Sequence, residues 1–395
     1  MSITDHPPQT ATYARGRLQL GIAGVGTMVL LAGAAASLGL PATVFPEAGG
    51  TLLADARALF AWGASLALAT LPVEALGGFF VPRAFRRRHP SLVGWILGWM
   101  RGALVVTLVM SLCGATTLAA GRAAGPGAAI GVFGILLFAM LLLQLAMARS
   151  VAGLRPSQVG LGAVEEELEQ LGCTSPRVQV LEAEDEGFTG GIAGLPGREV
   201  SVVPVAWVGQ LEPRALALLL ARRAHLVGGG LRAAGVALAV LWTLGTFAAA
   251  SILPGAGLAS VAGFVTTSLW FTLFSFLGLL VLPTPSRGAT RRADARLIGG
   301  LGEEDRRLFA ETLGALDRLQ DDEPERPASV ESVFHPIPAL ESRRRALQAP
   351  TGGLAPWHVA RTAIYLSIVG MNPLHRLVHC NVGRPELWVF LPADG

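Results

Sequence analysis

The sequence predicts an α-helical multipass membrane protein with about six transmembrane helices and a small α+β cytoplasmic domain. Three observations carry that expectation. Of 395 residues, 52% are hydrophobic and only 15% charged, and the mean hydropathy is +0.52, far above that of a soluble domain. Six apolar stretches, at about 18–40, 58–81, 102–120, 126–148, 233–253 and 259–283, approach or exceed the roughly 20 residues that a helix needs to cross a bilayer core. Two polar stretches, about 156–232 and 284–350, alternate strand-like and helix-like patterns.

The chain divides accordingly. Residues 1–17 form a polar cytoplasmic tail, and the apolar run after them is too long for a cleaved signal and reads as a signal-anchor. Residues 18–155 form a four-helix transmembrane block and 156–232 a first cytoplasmic subdomain. Residues 233–283 form a transmembrane hairpin around "PGAG", and 284–350 the second part of the cytoplasmic domain. The remainder, 351–395, is expected to be peripheral or packed on that domain, because "WHVARTAIYLSIVG" is too short to span. Arginine sets the orientation: Arg15, Arg17, Arg83, Arg86, Arg87, Arg88, Arg101, Arg149 and Arg155 flank one side, and Arg57 and Arg122 the other. Both termini are therefore expected in the cytoplasm and the protein in a bacterial plasma membrane. The lipid bilayer is the first partner this composition implies. All 31 basic residues are arginine and the formal net charge is +3, too small to imply nucleic acid. The three cysteines, Cys113, Cys173 and Cys380, have neither metal-ligand nor disulfide spacing.

Within the polar stretches, "VEEELEQLG" reads as a helix, and "PRVQVLEAE" and "EVSVVPVAWV" as strands. "DEGFTGGIAGLPGR" is a turn-rich connector, and its acidic run Glu182, Glu184, Asp185 and Glu186 reads as a solvated rim. "LEPRALALLLARRAHLV" is a helix with Glu212 and Pro213 in its first turn. Helices follow in "ATRRADARLIGGL", "LGEEDRRLFAETLGALDRL" and "ALESRRRALQ". Glu74 lies inside the second apolar stretch, where a carboxylate is a functional candidate by default. The structural reading, a pair with an arginine of the Arg86–Arg88 cluster, is preferred.

The order of these parts carries a family resemblance. A strand–turn–strand unit precedes a helix that ends in His225. A transmembrane hairpin, "RRADARLIG" and "FHPIPALESRRRAL" follow. Together with "GFTGG" at 187–191, this resembles the M48 family of membrane zinc metallopeptidases, HtpX-like or CAAX-prenyl-protease-like, over roughly residues 160–350. The resemblance implies an M48 metallopeptidase-like fold for the cytoplasmic domain, with H-E-x-x-H on the first helix and E-x-x-A-D after the hairpin. This chain departs from both motifs. Ala221 stands at the first His, Arg222 at the general-base Glu and Thr290 at the third ligand; His225, Ala293 and Asp294 keep their types. Catalytic zinc takes three protein ligands and a water, and a permanent guanidinium repels a divalent ion. No catalytic residue and no metal are therefore expected, and no cofactor. Asp294 is expected to pair with Arg222 or to hydrogen-bond His225, filling a former metal cavity, and His225 reads as structural.

The resemblance and the residues together imply a catalytically inactive scaffold, accessory subunit or client-binding regulator in a membrane-protein complex. Its candidate groove comprises Phe188, Thr189, Gly190 and His335, where an extended peptide client could add to a strand edge. The alternative is an active zinc endopeptidase with rearranged ligands that recruits His335 or Asp294. A transporter is disfavoured, since the apolar stretches hold few polar residues beyond Glu74 and no broken-helix pair. His375 and His379 stand four apart in "HRLVHC", but "NP" and "VGRP" leave barely two turns, and packing is preferred to metal there.

Overall fold

The first two long helices begin at the same device. In the computed structural model, Thr12 and Thr51 each accept, through the side-chain hydroxyl, from the backbone N–H three residues on, the N-cap bond that satisfies one of a helix's orphan donors. The structure describes residues 12–45, 50–173, 177–320, 322–346 and 355–390. Helix α1 (Tyr13–Ser37) is followed by the short α2 (Leu40–Val44) and by α3 (Leu52–Ala75). A π-helical turn, Leu76–Phe80, carries α3 into α4 (Val81–Ala84).

Helix α5 (Leu92–Leu142) counts 51 residues. Straight, it would run about 76 Å at 1.5 Å per residue, more than twice the bilayer core. It folds back instead. Gly125, at φ 83° and ψ 179°, leaves helical geometry just before Pro126, a conformation glycine reaches without a Cβ penalty. A Cβ placed on Gly121 would lie 3.4 Å from the Ala129 Cβ, and Arg101 Nε donates to Val151 O at 3.4 Å. The third and fourth apolar stretches of the sequence are thus two antiparallel legs. Among the described residues five helices are long and apolar enough to cross a membrane: Tyr13–Ser37, Leu52–Ala84, Leu92–Leu142, Leu231–Ala250 and Val261–Val281. The third apolar stretch of the sequence and most of the fourth lie within α5, on either side of Gly125.

After α6 (Gln144–Ala152) come β1 (Arg155–Pro156), α7 (Gly162–Gln170), β2 (Arg177–Glu182), β3 (Gly191–Ala193) and β4 (Val200–Pro204). The sheet order is β1-β2-β4-β3. β2 and β4 are parallel with Arg177 opposite Val200, and β3 is antiparallel to β4. The second predicted strand ends early, at Pro204, which has no N–H to extend the ladder; "VAWVGQ" becomes α8 (Val205–Gln210). Then follow α9 (Pro213–Gly228), α10 (Leu231–Ala250), α11 (Val261–Val281), α12 (Pro283–Gly299), α13 (Glu303–Gln320), α14 (Ala328–Phe334), α15 (Leu340–Ala346), α16 (Val359–Leu366) and α17 (Leu374–Leu377). One apolar cluster joins the membrane legs through Phe133, Phe247, Phe271 and Trp388. A second joins α7, α9 and α13 through Leu168, Leu216, Leu220 and Phe309.

Three expectations are corrected. Residues 355–390 are not peripheral: they lie buried among the apolar helices. Tyr365 Oη donates to Met140 O at 2.8 Å, Ser268 Oγ to Met371 O at 3.1 Å, Trp95 Nε1 to Gly383 O at 2.9 Å and Arg17 Nη2 to His379 O at 2.9 Å. Irregular backbone is tolerated at that depth only where protein satisfies its polar groups, and these four donors come from the segment itself and from the helices around it. Second, Glu74 pairs with Arg376 at 2.8 Å, not with the Arg86–Arg88 cluster. It also accepts from Trp99 Nε1 at 2.6 Å. Third, Asp185 is not part of a solvated rim; it forms a part-buried ion pair with Arg384, whose Nε stands 2.5 Å from Oδ2. In the second and third cases the partner comes from residues 355–390, whose placement the sequence alone does not reveal.

Candidate functional site

Helix α9 is buried along most of its length, because it packs against α7, α12 and α13. Ala221 and Arg222 therefore sit fully inside. On α12, Thr290 and Asp294 are four residues apart and share a helix face, and both are buried. The facing helices bring Arg222 Nε to Asp294 Oδ1 at 2.5 Å. A second arginine completes the group: Arg343 on α15 donates from Nε to Oδ2 at 2.8 Å and from Nη2 to Oδ1 at 3.1 Å. Burial by itself would raise the Asp294 pKa, but the fields of Arg343 and Arg222 and their hydrogen bonds outweigh it and hold the carboxyl below the usual range. Two cations thus clasp one carboxylate between three helices.

The other site residues fall around this triad. Thr290 Oγ1 turns back to its own helix and donates to Ser286 O at 3.3 Å. His225, in the last turn of α9, is half-buried and makes no hydrogen bond to Asp294. Burial, and after it Arg296, disfavours its charged form, so its pKa lies below the ordinary value. Of the two pairings open to Asp294, the one with Arg222 forms. Arg343 escaped the sequence reading as a site residue, although it is the third residue of "ESR" in the "FHPIPALESRRRAL" segment.

Zinc, which the sequence resemblance implies for this place, does not fit these residues. The positions offer a methyl group, a hydroxyl engaged with its own helix, and one histidine, while two guanidiniums saturate Asp294. Among the described residues no three His, Cys, Asp or Glu side chains converge as a metal site. No step through zinc is derived.

The candidate groove residues are buried too. Phe188 packs edge-on against Phe390, with ring centroids 6.2 Å apart. Gly190, at φ 68°, is held to glycine by close approach: a Cβ there would lie 1.9 Å from Val202 O. Thr189 is fixed from both ends, its carbonyl accepting from Arg223 Nη2 at 2.8 Å and its hydroxyl from Gln320 Nε2 at 2.9 Å. Arg223 also donates to Val202 O at 2.7 Å and to Ser201 Oγ at 3.1 Å. It is a further arginine that sequence reasoning missed, and it staples α9 to β4 and to the loop before β3. The outer edge of β3 is engaged by Arg232, whose Nη2 donates to Ile192 O at 3.1 Å and Gly194 O at 2.7 Å. His335 lies elsewhere in the described contacts, at the end of α14, with its ring 4.8 Å from that of His379.

The arrangement of membrane legs around a small sheet and its helices has a solved counterpart. The fold is similar to that of Ste24p. The crystal structure of S. mikatae Ste24p aligns with a TM-score of 0.60 and 13% sequence identity, over 75% of this chain and 76% of that one. No family model matches the sequence, and no curated protein matches it. The likeness to Ste24p is one of fold, and the Arg222–Asp294–Arg343 group is described from this chain's own side chains.

Proposed function

We propose that this protein is a catalytically inactive, M48-like integral membrane protein that acts as a scaffold, accessory subunit or client-binding regulator. The observation that carries the reading is the fully buried Arg222 guanidinium on Asp294. It stands where the motif resemblance would put the general base of a zinc peptidase. A cation there opposes a divalent metal and cannot accept a proton from a bound water. The Ste24p-like fold supports a relative of membrane metallopeptidases; that the site is replaced rests on Ala221, Arg222 and Thr290 of this chain. The location proposed is a bacterial plasma membrane, and the arginine distribution supports placing both termini and the sheet domain in the cytoplasm. The partner is a membrane protein or an extended peptide. A peptide that adds to β3 would have to displace Arg232 from Ile192 O and Gly194 O.

The test is elemental zinc on detergent-purified protein, beside a His225→Ala variant. Zinc far below stoichiometric supports the reading. Stoichiometric zinc that His225→Ala removes overturns it in favour of an active endopeptidase with rearranged ligands, and peptide cleavage by the same preparation would do so as well.

A further inference from the structure

Arg232 is the second residue of α10 and is 3% exposed. Its Nη2 is spent on the outer edge of β3. Among the described residues, its Nε and Nη1 have no hydrogen-bond partner. Arg232 lines a cavity of about 40 Å³ whose wall also includes Gln144, Ile192, Trp357, Tyr365, Phe390 and a second guanidinium residue, Arg361. Trp357, 4% exposed, likewise has an indole Nε1 with no acceptor among the described residues. The polar groups of Tyr365 and Gln144 are engaged. Tyr365 donates to Met140 O at 2.8 Å, and Gln144 accepts from Gly194 N and donates to Val389 O, each at 3.4 Å. No carboxylate is among the described residues of the wall. Glu199 acts on Arg232 through space, but its carboxylate is turned onto Gly197 N at 2.8 Å.

A buried guanidinium with no carboxylate in contact is unfavourable, and buried donors are almost always matched. Here residues with two kinds of donor, guanidinium and indole, line one small space. A water needs roughly 10–15 Å³ of such space, so this cavity has room for a chloride ion or a carboxylate group and excludes bulky anions. The site also adjoins the N-terminus of α10, where the helix dipole favours negative charge. We propose that Arg232 and Trp357 bind a small monovalent anion in this cavity: chloride, or the carboxylate group of a small acid. The bound anion ties α10, the edge strand β3 and the C-terminal segment together, since those are the elements its donors and wall come from.

The full chain in detergent tests this through its thermal unfolding midpoint, followed by tryptophan fluorescence. Sodium chloride, or sodium acetate, replaces sodium methanesulfonate at constant ionic strength. A saturable rise of the midpoint with chloride assigns the ion; a rise with acetate and none with chloride assigns the carboxylate. Arg232→Gln should abolish the rise. Trp357→Phe keeps the ring and loses the N–H, and should raise the half-saturating concentration by roughly tenfold, the worth of one hydrogen bond to a charged group. If Arg232→Gln does not fold, Trp357→Phe and a bromide anomalous peak beside Arg232 in crystals carry the test. No response to either anion together with no bromide peak overturns the proposal, as does a response that both variants leave undiminished.

Discussion

Asp294→Asn keeps the side-chain volume of the buried triad and removes its only negative charge. Arg222 and Arg343 have 0% and 2% side-chain exposure. In the variant, two desolvated cations would face one neutral amide. Breaking a buried ion pair by removing one partner costs about 3–5 kcal/mol, and mutual repulsion of the two arginines places this case within that range and not below it. Arg222→Met should cost less, about 1–3 kcal/mol, because Asp294 keeps both of its bonds to Arg343. Replacing all three residues by apolar side chains of similar volume should recover most of the loss, since buried ion groups exchanged for packed hydrophobes are often neutral or stabilising. Exchanging Arg222 and Asp294 for one another should not rescue, because an arginine at position 294 would meet Arg343. Denaturant unfolding of the detergent-purified variants, read as a mutant cycle, gives these differences. An Asp294→Asn loss under about 1 kcal/mol would refute the reasoning, because the guanidiniums would then not be desolvated.

The remaining expectations are of four kinds. The Asp294 carboxyl is depressed in the fold, so its contribution is present above the unfolded value of about 3.9 and is lost as pH falls through the lower folded one. The acid limb of stability against pH should therefore be shallower in Asp294→Asn. Glu386 has the opposite sign. Burial, and after it Asp185, pushes its carboxyl up to about 7, so the fold holds that proton more tightly than the unfolded chain does and loses the contribution as pH rises to about 7. Glu386→Gln should raise the unfolding midpoint at pH 8 and change it little at pH 5; equal shifts at both pH values would count against this. Arg376→Met leaves the Glu74 carboxylate buried without its counter-charge and should destabilise by about 3–5 kcal/mol, with Glu74→Gln partly restoring the loss in the double variant. Finally, with Cys113 and Cys380 replaced by alanine, an impermeant maleimide should label the half-buried Cys173 in inverted membrane vesicles only. Labelling in right-side-out vesicles would reverse the proposed orientation.

Much of the architecture was legible because bilayer length and arginine placement are strong one-dimensional signals. The apolar stretches, the helices around Glu212 and Asp294 and both longer strands follow from periodicity and caps. The pairing of Arg222 with Asp294 was also readable, since a motif glutamate is replaced by an arginine while the motif aspartate that can pair with it is kept. Arg343 was harder to find. One arginine among three in "SRRRA" looks like the others until the turn of α15 aims it inward. Arg223 and Arg232 were hidden in the same way, since nothing in their local sequence separates them from exposed helix arginines although both are buried with backbone carbonyls as partners. Least legible was the C-terminal segment. Its polar and apolar residues follow no single period, since its contacts are to several helices and not to one face.

The bond between Glu74 and Arg376 has a consequence for how the chain is made. The two residues are 302 positions apart, and at roughly 5–20 residues per second synthesis needs about 15–60 s to bring the arginine after the glutamate. Throughout that interval the second apolar helix carries a carboxylate whose neutralising guanidinium does not yet exist, an arrangement the bilayer disfavours. Until Arg376 is made, the carboxyl is expected to stay protonated, since an isolated ionisable group in an apolar medium neutralises itself, and to ionise when the arginine packs against it. Ribosome stalling or premature termination before codon 376 would leave a membrane product with an orphan carboxyl, a mark by which quality-control proteases could distinguish unfinished chains from finished ones.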